Sequence, residues 1–494
     1  MRKLSLLFVL GLFLQIESFA NNLVLGTPTI NGSNITFTIK WDNSWKVSTG
    51  PSNWDAVWIF VKRQTCDQAA LNPWIHGALA ATGHSVSGTQ LQVDLASDNQ
   101  GVFIRRIADG IGNITQAIVT LSLASAVGSD NIGLYGIEMV NVPEGQFYIG
   151  DGEVNGGQNG WSFTDGNTTN PKLITQAIQQ SGIGAVGNYS RANIGSTAPL
   201  GASFPLGYNR FYCMKYEITS SQYVSFLNTL TYNQQLRLSP NANSLPPEAP
   251  AGTVINRTYQ GYTIEVKTPG NSTTTLTPAV YGNDATDDNN YDQPNDGLGY
   301  AVSLGNKQFL SFLDWAALRP MTDFEFEKAC RGPITPQVNE FAWGTTDYTP
   351  YVNYSVTDKY LATERLSGTG LGMNNVQSNN NFRVGIAATA TSNRVNAGAT
   401  YYGIMEMTGG MHERVVGRYN FDYSGFTTAN GDGILDANAN SNWNESILGG
   451  RGGSWREYTG SQTSNRYFIV GGIAGGNDNG DNWGHHGGRG VRSF

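Results

Sequence analysis

Between residues 22 and 125 apolar and polar positions alternate with the period of a strand. NITFTIKW (34–41), AVWIFVKRQ (56–64), TQLQVDL (89–95), GVFIRRI (101–107) and QAIVTLSLA (116–124) alternate, or run together, β-branched and aromatic residues. Gly, Asn, Pro and Ser separate them. Short strands at that spacing predict an antiparallel β-sandwich of immunoglobulin-like type over residues 21–127. Trp41, Trp45, Trp54 and Trp58 read as its core and edge packing, or as an aromatic strip for a sugar. Helical spacing appears further on. In MKYEITSSQYVSFLN (214–228) Tyr223, Phe226 and Leu227 recur on one helix face behind Thr219 or Ser220 as cap. In RPMTDFEFEKACRG (319–332) Thr322 stands three residues before Glu325, which predicts a capping box, and Phe324, Phe326 and Ala329 offer apolar contacts.

The first twenty residues follow neither period. Arg2 and Lys3 precede the apolar run LSLLFVLGLFL, and Ser18 and Ala20 place small residues at the −3 and −1 positions of a cleavage site. That is a signal peptide over residues 1–20. The run is shorter than the ~20 residues needed to span a bilayer, and no later stretch is apolar enough. An exported protein is expected, extracellular, on the cell surface or periplasmic, with no transmembrane segment after cleavage.

Composition narrows the class. At 494 residues the chain predicts two or more domains. Charged residues reach only 14% and aromatics 11%, with 61 glycines, which excludes a disordered chain and suits a loop-rich, β-leaning one. A net charge of −8 argues against nucleic acid or an anionic membrane as partner. The cysteines are Cys66, Cys213 and Cys330, an odd number for an exported chain, so at least one thiol is free or linked between molecules. Cys213 and Cys330 lie in apolar runs and are expected to be buried. No C-x-x-C pair exists for zinc.

From Gly133 onward several motifs arrive in a fixed order. MVNVPEGQFYIGD (139–151), the two helix-bearing stretches above, FAWGTTDY (341–348), YYGIMEMTGGMHERV (401–415), GGRGGSW (449–455) and GGRGVRS (487–493) together resemble the formylglycine-generating enzyme, or sulfatase-modifying factor, family. The resemblance implies an α+β fold: an irregular, C-type-lectin-like domain over residues 133–494. Loop insertions fall near 151–205 and 229–300, and the β-sandwich precedes it. It also implies copper(I) on two cysteines after the GGS-aromatic turn. Those places fall on or near Glu457 and Gln462 here, and no cysteine follows residue 330. A carboxylate and an amide are hard oxygen ligands that do not replace thiolates around copper(I). No catalytic residue is therefore assigned, and copper is not expected. The related sulfoxide synthases carry iron on an H-x-x-x-H-x-E pattern, which none of His76, His84, His412, His485 and His486 forms.

Other chemistry stays open. In the family an asparagine and a glutamate help hold calcium; of that pair only Glu413 is present, in Gly410-Met411-His412-Glu413-Arg414. The loop ANGDGILDANAN (429–440) adds Asn430, Asp432 and Asp436, which resembles half of a calcium loop or a plain Asx/Gly turn. His412, His485 and His486 would suffice for zinc or iron if they converged, although neighbouring histidines usually point apart. The tail NDNGDNWGHHGGRGVRSF (477–494) suits adaptable polar recognition around an aromatic anchor. Arg456, Glu457, Tyr458, Trp483, His485 and His486 are the ligand-binding candidates, while Arg489 and Arg492 could instead close the fold internally. These observations predict a non-catalytic domain for binding or surface assembly, with a glycan, a peptide or a cell-envelope protein as partner. Two alternatives stand beside it: a metal-dependent oxidoreductase of this fold, and a variable ligand-binding protein of the diversity-generating-retroelement type.

Overall fold

The computed structural model describes residues 22–66, 72–153, 161–178, 180–187, 203–238, 247–257, 263–273, 276–351, 354–368, 370–373, 381–417, 423–456, 460–466 and 485–494. Residues 1–20, read above as a signal peptide, and Glu457, Tyr458 and Trp483 lie outside them. The fold is mixed α/β: mostly strands, in antiparallel and mixed sheets, with four α-helices among the described residues. No described helix is long and apolar enough to cross a membrane.

The alternation read at the N-terminus becomes two facing sheets. In the strand Asn34–Lys46 every second residue from Ile35 to Trp41 is buried, because only one face is covered. It pairs antiparallel with Gly110–Ser122 in a five-stranded sheet. Opposite lie Asp55–Gln64, Val102–Arg106 and Leu91–Leu95, part of a ten-stranded sheet. Ile35, Phe37, Ile39 and Trp41 from one side meet Val57, Ile59, Val61 and Ile104 from the other in one apolar cluster.

Asp55–Gln64 shows no alternation, since its first eight residues are all buried. Val57, Ile59 and Val61 face the sandwich. Ala56, Trp58 and Phe60 face the second, larger core. A strand covered on both faces reads as an uninterrupted apolar run, as AVWIFV does. Trp58 donates its indole N–H to the Ala316 carbonyl at 2.9 Å, and Phe60 packs edge-on against Trp315 at 5.1 Å between centroids. The tryptophans thus serve packing first: Trp41 and Trp58 are fully buried, while Trp45 and Trp54 sit half-buried at the edge of the larger core.

Asn131–Val142 continues the same sheet from the N-terminal strands to those that follow residue 200. It pairs with Asp55–Gln64 over Asn131↔Gln64 to Val140↔Asp55, and with Phe211–Met214 over Met139↔Met214 to Val142↔Phe211. The C-terminal strand Gly490–Ser493 follows, then Arg319–Thr322, Glu413–Val416 and Leu448–Arg451. Arg319–Thr322 and Glu413–Val416 run parallel. Arg492 reinforces the join: its guanidinium pairs with Asp98 at 2.5 Å and lies 4.1 Å over the Trp58 ring.

Both expected helices form. Thr219, not Ser220, caps Ser220–Leu227, in a capping box with Gln222; Ser220 donates instead to the Gly297 carbonyl. Thr322 and Glu325 make the capping box of Asp323–Arg331, and Phe324, Phe326 and Ala329 are buried. Cys213 and Cys330 are buried free thiols and Cys66 is exposed.

Candidate functional site

The GGSW turn enters a closed lattice of charge. Arg451, the last residue of Leu448–Arg451, pairs with Asp323, to which the Arg466 Nε also donates at 2.7 Å. Arg466 reaches Glu327, which accepts from Arg331 at 2.9 Å; Arg331 continues to Glu340. Arg319 grips Glu325 through two bonds of 2.8 and 2.7 Å. Four guanidinium groups face four carboxylates, and all eight side chains are buried. Asp323 and Glu327 stand at i and i+4 on one helix face and share Arg466, while Glu325 between them meets Arg319 instead. Glu327 shows the balance: burial pushes its carboxyl up, but Arg466 and Arg331 beside it hold it below the ordinary value.

Where the resemblance places a reactive thiol, Gln462 is buried in this polar floor beside Ser461, Thr463 and Ser464. The two interior thiols lie elsewhere and are chemically quiet. Burial pushes Cys213 up to about 12 and Cys330 well above the thiol range, so neither supplies a thiolate. Arg456 is half-buried, its backbone N–H on the Ser454 hydroxyl at 3.3 Å.

Next to the turn three imidazoles meet. His412 precedes Glu413–Val416, and His485 and His486 precede Gly490–Ser493. The His412 N–H donates to the His485 carbonyl at 2.9 Å, and the Gly487 N–H returns to the His412 carbonyl at 3.2 Å. His485 and His486, expected on an exposed binding face, are buried at 2% and 7% exposure, because this pairing carries them inward. The Trp455 ring stands edge-on to His485. One ligand atom from each of His412, His485 and His486 lies within 4.8 Å of the others. Neighbouring side chains diverge in a regular strand, but His486 makes only an isolated bridge to His412. The rings of His485 and His486 sit 4.5 Å apart, inclined at 66°.

The calcium candidates are not gathered into one set. Glu413 pairs with Arg489 at 2.5 Å, and Arg489 also donates to the Met214 and Lys215 carbonyls. Asn430 is bonded to Ser493 at the far end of the last strand. Asp432 accepts the Ile434 N–H, and Asp436 accepts the N–H groups of Asn438 and Asn440. Such bonds define local Asx turns. Arg489 and Arg492 both close the fold internally.

Two features escaped the sequence reading. Glu217 accepts the Met411 N–H at 2.6 Å, and burial, with Glu413 close by, raises its carboxyl well above the usual range. Gly410 permits this contact: its φ is +65°, and a Cβ there would stand 2.6 Å from the Glu217 oxygen. The second is an open groove of about 690 Å³ between the sandwich and the 388–405 segment. Trp45, Asn53, Tyr216, Arg394, Tyr401 and Tyr402 line it. The YYG stretch was visible as a motif, but nothing in the sequence set Trp45 opposite it. A second cavity of about 470 Å³ is lined by Glu138, Glu217, Gln222, Tyr360 and Arg383.

No protein-family model matches the chain, and no curated protein matches it. Among solved structures, the pilus 2b backbone protein of group B streptococcus aligns with 34% of this chain and 79% of its own, at 13% identity and a TM-score of 0.12. A likeness at that score bears on neither fold nor function.

Proposed function

We propose that this is an exported, non-catalytic protein with a formylglycine-generating-enzyme-like, C-type-lectin-like domain, used for binding or surface assembly. The closed ion-pair lattice beneath the GGSW turn supports this most. Its floor holds Gln462 in place of a thiol, and its charges are spent on one another. Binding then belongs to the aromatic groove between the sandwich and the 388–405 segment. Half-buried Trp45 and Tyr401 offer ring faces and half-buried Arg394 a polar contact, over a floor that includes buried Tyr402 and Asn53, a set that suits a glycan or a peptide.

A second reading, metal-dependent oxidation, draws on the converging histidines. It ranks below because none of the three lines either the 690 Å³ groove or the 470 Å³ cavity. Oxygen uptake by copper- or iron-loaded protein, with thiol peptides supplied, separates the two. No substrate-dependent uptake is expected; sustained uptake would overturn the non-catalytic reading. In parallel, tryptophan fluorescence titrated with oligosaccharides and peptides should respond, and Tyr401→Ala should abolish the response.

A further inference from the structure

We propose that His412, His485 and His486 form a binding site for a borderline divalent transition ion, zinc above all. The ion clips the terminal strand to the segment that carries His412. This inference does not depend on whether the domain catalyses anything.

The topology gives the site a mechanical role. Glu413–Val416 and Gly490–Ser493 are not neighbours in the sheet, because Arg319–Thr322 lies between them and pairs with both. Just before that strand wedges in, the two segments touch through the His412↔His486 bridge and its backbone bonds. The imidazoles stand at this fork. An ion held there joins two segments more than seventy residues apart in sequence at the point where the sheet divides.

The donor set selects the metal. Three imidazoles, with no carboxylate or thiol in the cluster among the described residues, suit zinc, copper(II), nickel or iron and are a poor match for calcium or magnesium, which take oxygen ligands. At Zn–N distances of about 2.0–2.1 Å, tetrahedral ligands lie about 3.3 Å apart. From separations of up to 4.8 Å, each donor atom must close by about 1 Å or less, within the reach of small side-chain rotations. With three protein ligands the fourth position of a tetrahedral ion is left to a small ligand such as water, and none of the three histidines lines the groove or the cavity described above.

The test uses the full mature chain purified without a polyhistidine tag, stripped with chelator and titrated with cobalt(II). One equivalent should give visible d–d absorption of tetrahedral intensity, and one equivalent of zinc should bleach it. Zinc should also raise the melting temperature of the metal-free protein. His485→Ala with His486→Ala should lose the bands, whereas His84→Ala keeps them. The wild-type spectrum decides even if the double variant fails to fold. No stoichiometric cobalt absorption, or bands that survive in His412→Ala, would overturn the proposal.

Discussion

The ten-stranded sheet is held by different physics at its two ends. Around Asp55–Gln64 both faces are apolar: Val57, Ile59 and Val61 fill the sandwich, and Trp58 and Phe60 fill the larger core. Around Arg319–Thr322 and Leu448–Arg451 the interior is ionic, with Arg319, Arg331, Arg451 and Arg466 each on a buried carboxylate. The apolar end tolerates imperfect geometry, because area removed from water carries no direction. The ionic end does not. Buried charges repay their desolvation only when every partner is in place, so that end specifies one arrangement of its loops more than it adds stability.

The sharpest way to break the comparison is to remove one member of the lattice. Glu327→Ala leaves Arg331 and Arg466 facing each other without their shared carboxylate. A loss of about 3–5 kcal/mol is expected in urea unfolding, with Glu327→Gln in between. A loss under about 1 kcal/mol would mean that water reaches this interior.

At the apolar end Trp58→Ala should cost a similar or slightly smaller amount, about 3–5 kcal/mol, from cavity and lost area. The pattern of loosening carries more information than its size. Hydrogen exchange in Trp58→Ala should rise in the helix Asn306–Trp315, because Trp58 bonds the Ala316 carbonyl. Phe37→Ala should raise exchange in Asn34–Lys46 and Gly110–Ser122 and leave that helix protected. Equal loosening of the helix by both variants would show one cooperative core in place of two.

The same contrast explains what was legible. Strand periodicity marked all five quoted segments of the N-terminal block, because one covered face or two leave a direct imprint on the sequence. The capping boxes at Thr219 and Thr322 were equally local. Nothing local told that Asp323 and Glu327 would face Arg451 and Arg466, more than 120 residues on. The charged residues of DFEFEK (323–328) carried no mark of burial in the sequence, and they are buried. The histidine cluster was visible only as an option, since its convergence depends on an irregular backbone at residues 485–487. The two calcium candidates, Glu413 and the 429–440 loop, meet the last strand at different ends, through Arg489 and through Ser493, which spacing could not reveal.

A buried charge on the apolar side should make stability depend on pH. Burial and neighbouring Asp432 raise the Asp314 carboxyl from 3.8 to about 7; Lys62 faces it, with His76 beyond. The folded protein therefore holds a proton that the unfolded chain releases. Its contribution is most favourable below about pH 4 and declines as pH rises to about 7. Burial drives Lys62 down to about 7, which acts above that window: its contribution improves as pH climbs toward 10.5. Between pH 4.5 and 7, Asp314→Asn should gain on the wild type by an amount of order 1 kcal/mol. A constant difference across that range would show that Asp314 titrates normally.

The smallest effect expected is that of calcium, and it sharpens the contrast between loop and core. Asn430, Asp432 and Asp436 already accept or donate bonds that shape their own turns, and Glu413 is committed to Arg489. An ion would have to outcompete those bonds and gather ligands from two ends of a strand. Millimolar calcium added to metal-free protein should therefore move the melting temperature by no more than about a degree, because so little binding energy is left over after the internal bonds are broken. A rise of several degrees, lost in Asp436→Ala, would mean that the 429–440 loop rearranges around the ion and that its Asx turns are only the resting form of a calcium site.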